Sequence, residues 1–222
     1  VLSCFMIDRS RGRLALLKFF TQEFGGTLVS DFWGAYNAVV CALRQKCLVH
    51  LLRDLEHVEK YKSPSIEWPT FAKKLRRLIA DAIRLWRKKD ELPPETYTSR
   101  RKCLARRLDA LIETPWEDSQ ARRLIKRLRR HRNELFTFLD QPGVPFDNNL
   151  AERAIRPAVI IRKNSYGNRS DQGADVQAIL MSIFFTLKKR GRNPINTIYD
   201  ALTTYLKTGQ LPPMPANVTA DS

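Results

Sequence analysis

Apolar positions recur every three or four residues through the middle of this chain. Phe71, Leu75, Leu78, Ile79, Ala82, Leu85 and Trp86 fall on one helical face. Tyr97, Leu104, Leu108, Leu111 and Ile112 fall on a second, and Ala121, Leu124, Ile125, Leu128, Leu135 and Phe138 on a third. This spacing predicts amphipathic helices, punctuated by Pro93-Pro94 and Pro115. The flanks read differently. Residues 1–7 predict a buried strand, Arg9-Ser10-Arg11-Gly12 a turn, and Leu14 to Phe24 a helix stopped by Gly25-Gly26. Thr27-Leu28-Val29-Ser30 reads as a strand ending at Asp31, residues 32–43 as a helix despite Gly34, residues 46–49 as a third strand and residues 51–60 as a helix. Strands alternating with helices predict an α/β fold with helices packed on a sheet.

Beyond the middle, residues 141–145 are a loop, and Asp147 has the chemistry of an N-cap for a helix carrying Glu152. A helix over residues 171–190 places Val176, Ile179, Leu180, Ile183, Phe184 and Leu187 on its apolar side, and Gly191 ends it. A last short helix covers residues 195–206. The expected organisation is a core in two parts, 1–62 and 141–208, interrupted by a helical insertion at 63–140 and followed by a mobile, proline-rich tail at 209–222. The chain starts at Val1 rather than Met, which reads as a fragment or a processed product.

Charge adds a partner. The 222 residues carry 39 Lys and Arg against 23 Asp and Glu, a net charge of +16. An excess of that size points to a polyanion, nucleic acid first and an anionic membrane second. Residues 71–134 alone hold 20 Lys and Arg against 9 Asp and Glu. The basic helices therefore read as a salt-sensitive clamp on a DNA backbone, or as ordinary solvated faces. No apolar run approaches the ~18 residues of a membrane span. Cys4, Cys41, Cys47 and Cys103 are scattered without a CxxC pair, which fits a reducing cytoplasm.

The candidate chemistry lies in two acids. Asp31 follows an apolar strand, and Glu152 sits among arginines in Asp147-Asn148-Asn149-Leu150-Ala151-Glu152-Arg153-Ala154-Ile155-Arg156-Pro157. A carboxylate at a strand end and another on a distant helix suit a two-metal phosphoryl-transfer site. Each has a structural alternative: Asp31 as a helix cap, Glu152 as an i,i+4 partner of Arg156. Arg153, Arg156, Arg162 and Lys163 read as phosphate contacts or as a solvated basic face. Cys47 and His50 share a C-x-x-H spacing, with Cys41 and His57 as conceivable further zinc ligands; a scaffold role is preferred. Trp33 and Tyr36 read as core aromatics. There is no Walker loop and no Rossmann glycine fingerprint.

At these residues the chain resembles the insertion-sequence sixty-six family of transposases, bacterial DDE enzymes with an RNase H-like core. The matching stretches are Gly26-Thr27-Leu28-Val29-Ser30-Asp31 with Gly34-Ala35-Tyr36, Cys47-Leu48-Val49-His50, residues 147–157, Arg162-Lys163-Asn164, and a later helix with Ser182, Thr186 and Asn193-Pro194. The resemblance implies an RNase H-like mixed sheet with flanking helices, interrupted by an all-helical insertion. It implies a triad of two aspartates and a glutamate holding two Mg²⁺ (or Mn²⁺) ions, with Asp31 as second aspartate, Glu152 as glutamate and His50 as a neighbour of the metal ligands. The first aspartate of such a triad falls upstream of Val1, and Asp8 is not assigned to it, so the chain is expected to be inactive alone. The implied partners are transposon-end and target DNA and further copies of the protein on that DNA, with no membrane. Two other readings stay open: a non-catalytic nucleic-acid-binding module and an RNase H-like nuclease. A decayed remnant of a mobile element is a third.

Overall fold

The computed structural model describes residues 2–62 and 64–217. Its elements run α1 (Arg13–Phe19), β1 (Phe24–Ser30), β2 (Cys41–Lys46), α2 (Leu48–Tyr61), α3 (Trp68–Arg87), α4 (Pro94–Glu113), α5 (Ser119–Arg130), α6 (Thr137–Asp140), α7 (Asn149–Ser165), α8 (Asp171–Lys189) and α9 (Pro194–Thr208). Two compact units result, Leu16–Asn148 and Val1–Ala15 with Asn149–Ser222.

The first unit joins a parallel two-stranded sheet to the helices of the middle region. Their core is the apolar set read from the sequence: Phe71, Leu75 and Ile79 from α3, Leu104 and Leu108 from α4, and Leu124 and Leu128 from α5 are all buried. Pro94 suits the first turn of α4, where its missing N–H costs nothing. Asp118 starts α5 by accepting from the backbone N–H groups of Gln120 (2.9 Å) and Ala121 (2.8 Å). It also receives the N–H of Ser65 at 2.7 Å, tying the start of α5 to the approach of α3.

The sheet departs from the expected pattern. Gly25-Gly26 do not stop a helix; they lie inside β1, and α1 ends earlier, at Phe19. A side chain on Gly26 would meet the Phe24 ring at 2.6 Å, so the bare backbone lets that ring fold across the strand. The helix expected over residues 32–43 is a short 3-10 turn, Gly34–Ala38, followed by β2. Gly34 weakens a helix by about 1 kcal/mol, and pairing with β1 through Leu28↔Arg44 and Ser30↔Lys46 satisfies the backbone instead. Consequently the third strand expected at residues 46–49 does not form, because β2 ends at Lys46 and Val49 is already helical.

One edge of β2 is covered by residues 132–138. The buried Gln45 side chain donates to the carbonyl of Leu135 (3.0 Å) and accepts from the N–H of Phe138 (2.9 Å). The Thr137 hydroxyl donates to the Arg44 carbonyl (2.5 Å). The Thr137 bond satisfies a backbone carbonyl of β2, and the Gln45 bonds tie residues 135–138 to that strand.

In the second unit, the strand expected over residues 1–7 is absent from residues 2–7, and Val1 lies outside the described residues. Hydroxyls of α8 take the place of a partner strand. The Ser3 N–H donates to Thr186 Oγ1 (2.9 Å), Thr186 Oγ1 donates to the Ser3 carbonyl (3.2 Å), and the Phe5 N–H donates to Ser182 Oγ (2.8 Å). Arg9 grips Asp171, in the first turn of α8, through two bonds of 2.7 and 2.9 Å, a geometry that also complements the helix dipole from the acid's side. Gly191, at φ 71°, lets the chain leave α8 with its N–H on the Lys188 carbonyl (3.2 Å). The buried side of α8 is Ala178, Met181, Thr186 and Leu187; Val176, Ile179 and Leu180, expected inside, are about half exposed. The tail expected at 209–222 follows α9; residues 218–222 lie outside the described residues. No helix among the described residues is long and apolar enough to cross a membrane.

Candidate active site

Parallel strands open their carboxyl ends to ligands, and Asp31 stands at such an end. It follows β1 directly and is half-buried. Its Oδ1 accepts from the Trp33 N–H at 2.8 Å, so the turn-capping role and an outward carboxylate coexist on one side chain. Lys46, opposite Ser30 in register, is buried to 1% exposure and fixes this strand end. Its Nζ donates to Ser30 Oγ (3.0 Å) and to the Asp31 carbonyl (3.0 Å). Burial pushes the Lys46 ammonium below its usual range, partly offset by the negative charge of Glu134 and Asp31.

The helical part of the unit reaches the same place. The ring of Phe32, next to Asp31, meets His131 edge-on at 5.5 Å, and the Arg127 guanidinium lies over that ring at 5.0 Å while pairing with Asp54. His131 Nδ1 contacts Glu134 at 2.9 Å. Burial moves the His131 pKa down, and Glu134 opposes that shift.

Trp33 and Tyr36 are not core residues. They meet edge to face at 5.4 Å, and Trp33 is 40% exposed. Burial and then the charge of Asp31 raise the Tyr36 hydroxyl's pKa, so it stays protonated at neutral pH. An open aromatic face thus sits two residues from Asp31.

Cys47 precedes α2, and His50 lies in its first turn. Burial raises the Cys47 thiol pKa, which disfavours the thiolate that zinc needs. Among the described residues no three His, Cys, Asp or Glu side chains gather as a metal cage, and all four cysteines are free thiols. The Asp147-Asn148 segment adjoins Cys47: the Leu48 N–H donates to the Phe146 carbonyl at 2.9 Å, and Asn148 hydrogen-bonds the Cys47 thiol. Asp147 lies two residues before α7, which begins at Asn149.

Glu152 belongs to the other unit, in the first turn of α7, and is half-buried. At about 100° per residue, Glu152, Arg156 and Lys163 share one stripe of the helix, within roughly 40°. Arg153 and Arg162 flank that stripe on opposite sides. All four cations are exposed. Pro157 lies inside α7, where it removes the bond to the Arg153 carbonyl and favours a kink just past the glutamate.

Sequence reasoning singled out Asp31 and Glu152 as candidates and did not single out Lys46, Gln45 or His131. Gln45 and Lys46 had one signal, the polar run Arg44-Gln45-Lys46 between the helix read to residue 43 and the strand read from 46. In kind, the two carboxylates fit Mg²⁺ or Mn²⁺: both are hard oxygen donors, and Mg²⁺ commonly uses one or two carboxylates alongside substrate phosphates and water.

The family model for the transposase IS66 family matches residues 2–176. Three curated relatives come from Sinorhizobium fredii. Uncharacterized protein y4qI is 28% identical over 54% of this chain and 24% of its own length; y4jO is 29% identical over 55% of this chain and 39% of its own; y4jD is 30% identical over 46% of this chain and 20% of its own. The chain thus spans well under half the length of these relatives. No solved structure matches.

Proposed function

The chain belongs to the transposase IS66 family, and from that premise we propose that it is the catalytic part of a DNA transposase. The observation that carries this reading is the match over residues 2–176, which includes both Asp31 and Glu152. Residues 1–62 and 141–208 would then be the two parts of an RNase H-like core, with the helical insertion at 63–140 between them.

Asp31 and Glu152 would each hold a divalent cation, Mg²⁺ or Mn²⁺. Such a pair of ions, when bound, supplies an activated hydroxyl and charge stabilisation at the scissile phosphate. The chain's own residues do the rest. Lys46 donates to the Ser30 hydroxyl and the Asp31 carbonyl, so the carboxylate starts from a fixed strand end. Arg156 and Lys163, on the stripe of Glu152, supply positive charge for phosphate oxygens, and Arg153 and Arg162 extend that charge to either side. His50, in the first turn of α2, would neighbour the ligands rather than serve as one of them. Asp8 is not assigned to the triad; its Oδ1 accepts from the Ser10 N–H at 2.7 Å and closes a turn.

The test uses the full-length native protein with Mg²⁺ or Mn²⁺. Glu152→Gln and Asp31→Asn are each expected to abolish strand cleavage while duplex binding stays within about twofold, since neither removes a cation. Cleavage surviving in Glu152→Gln overturns the assignment. Cleavage without joining of DNA ends makes the protein a nuclease, and binding without either makes it a nucleic-acid-binding module.

A further inference from the structure

Cations are not spread evenly over the helical unit, and most of the inner ones are neutralised. Arg76 pairs with Glu59, Arg84 and Arg107 with Asp81, Arg101 with Asp140, Arg127 with Asp54 and Arg132 with Asp109. Helix α5 differs in carrying no acid of its own. Its twelve residues include six cations and no acid, and its buried side is Ala121, Leu124, Ile125 and Leu128. Arg122, Arg123, Lys126, Arg129 and Arg130 are exposed. Among the described residues none of these five has an acid partner; Arg129 alone donates, to the Ile112 carbonyl at 3.2 Å.

Helix stability does not explain this arrangement. Cations complement the dipole in the last turn, which accounts for Arg129 and Arg130. Arg122 and Arg123 sit towards the opposite end, where the dipole is positive and acids are favoured. Like charges at i,i+4 also oppose one another, and α5 holds three such pairs: Arg122 with Lys126, Arg123 with Arg127, and Lys126 with Arg130. An ordinary solvated face would intersperse glutamates, as α4 does with Glu95 and Glu113. The outer side of α5 therefore carries a repulsion that an external polyanion would relieve.

We propose that the outer face of α5 is a contact surface for the phosphate backbone of duplex DNA, through Arg122, Arg123, Lys126 and Arg130. This deepens the transposase reading and rests on it for the choice of DNA. From Arg122 to Arg130 the helix rises about 12 Å, and one strand of a duplex presents about one phosphate per 3.4 Å of axis. The face thus matches about three to four successive phosphates and reads no base. Inside, the same helix holds Arg127 over Phe32, the neighbour of Asp31. A duplex on α5 is consequently held by the element that supports the strand end.

The test compares two variants of the full chain with equal loss of charge. One is R122Q/R123Q/K126Q/R130Q; the other, K73Q/R100Q/K102Q/R106Q, removes four exposed cations from α3 and α4. Binding to a fluorescent duplex of arbitrary sequence is followed by anisotropy across a salt series, without divalent ions. The α5 variant is expected to lower the log–log salt slope by about 3 to 4, at about 0.9 per lost phosphate contact, and the control by less than one contact. The double variant R122Q/K126Q, expected to lower the slope by about two contacts, decides the matter if the quadruple variant does not fold by circular dichroism. Equal losses in both quadruple variants, or an unchanged slope in the α5 variant, overturn the proposal. If R156Q/R162Q lowers the slope where the α5 variant does not, the α5 surface fails and the transposase reading stands. A wild-type chain that binds no duplex overturns the α5 surface, while metal-dependent cleavage by the full-length protein still tests the catalytic reading separately.

Discussion

At the scale of single residues, the most consequential side chains near Asp31 are polar ones inside the fold. Gln45 is fully buried and bonds both the Leu135 carbonyl and the Phe138 N–H. Replacing it with leucine fills the space but leaves two buried backbone groups unsatisfied. Gln45→Leu is therefore expected to lower unfolding free energy by roughly 2–6 kcal/mol, read from urea denaturation; a loss under 1 kcal/mol would mean that water or a shift of residues 135–138 replaces those bonds. Neither Gln45 nor Lys46 was legible from the sequence. Three consecutive polar residues look like surface, and only their pairing with β1 and their cover by residues 132–138 reveal them as interior. Asp31 was legible, because a lone acid after an apolar strand keeps its place whichever neighbours pack around it.

At the scale of elements, the helices of the first unit followed from apolar spacing because burial of one face governs them. β2 did not. Residues 32–43 contain enough apolar positions for a helix, and the competing signals, Gly34 and the β-branched pair Val39-Val40, are local and weak beside a cross-strand pairing that is not local at all. Residues 2–7 show the converse: a strand-like run is held by α8 hydroxyls instead of a strand. The start of α5 carries a pH dependence. Burial raises the Asp118 carboxyl's pKa, but hydrogen bonds from the N–H groups of Ser65, Ala121 and Gln120 and from the Ser65 hydroxyl together more than reverse that, leaving it below the usual range. The unfolded chain then takes up this proton first, so stability rises with pH through that window. The contribution is complete above about pH 4, the unfolded carboxylate value, and is lost as pH falls through the lower folded value. Asp109, held down mainly by its bond from Arg132, acts in the same direction. Asp118→Asn is expected to flatten the fall of denaturation midpoint below about pH 4 relative to wild type; parallel curves would show that Asp118 does not titrate with folding.

At the scale of the whole molecule, the net charge of +16 points to a polyanionic partner, and the pairing of individual arginines with acids separates cations that hold the helices together from outward ones, which α5 carries with no acid among them. The proposed catalytic carboxylates lie 121 residues apart in sequence and belong to different units; sequence periodicity could place each on its element but not assign a cation to either. The most direct test of that assignment is a titration of the ¹⁵N-labelled chain with Mn²⁺, followed by paramagnetic loss of amide signals. The account predicts that signals around Asp31 and around Glu152 both broaden ahead of those around other surface acids, and that Asp31→Asn and Glu152→Gln each weaken the effect at the substituted position. Broadening confined to one carboxylate, or scattered over surface acids and indifferent to Glu152→Gln, would contradict it.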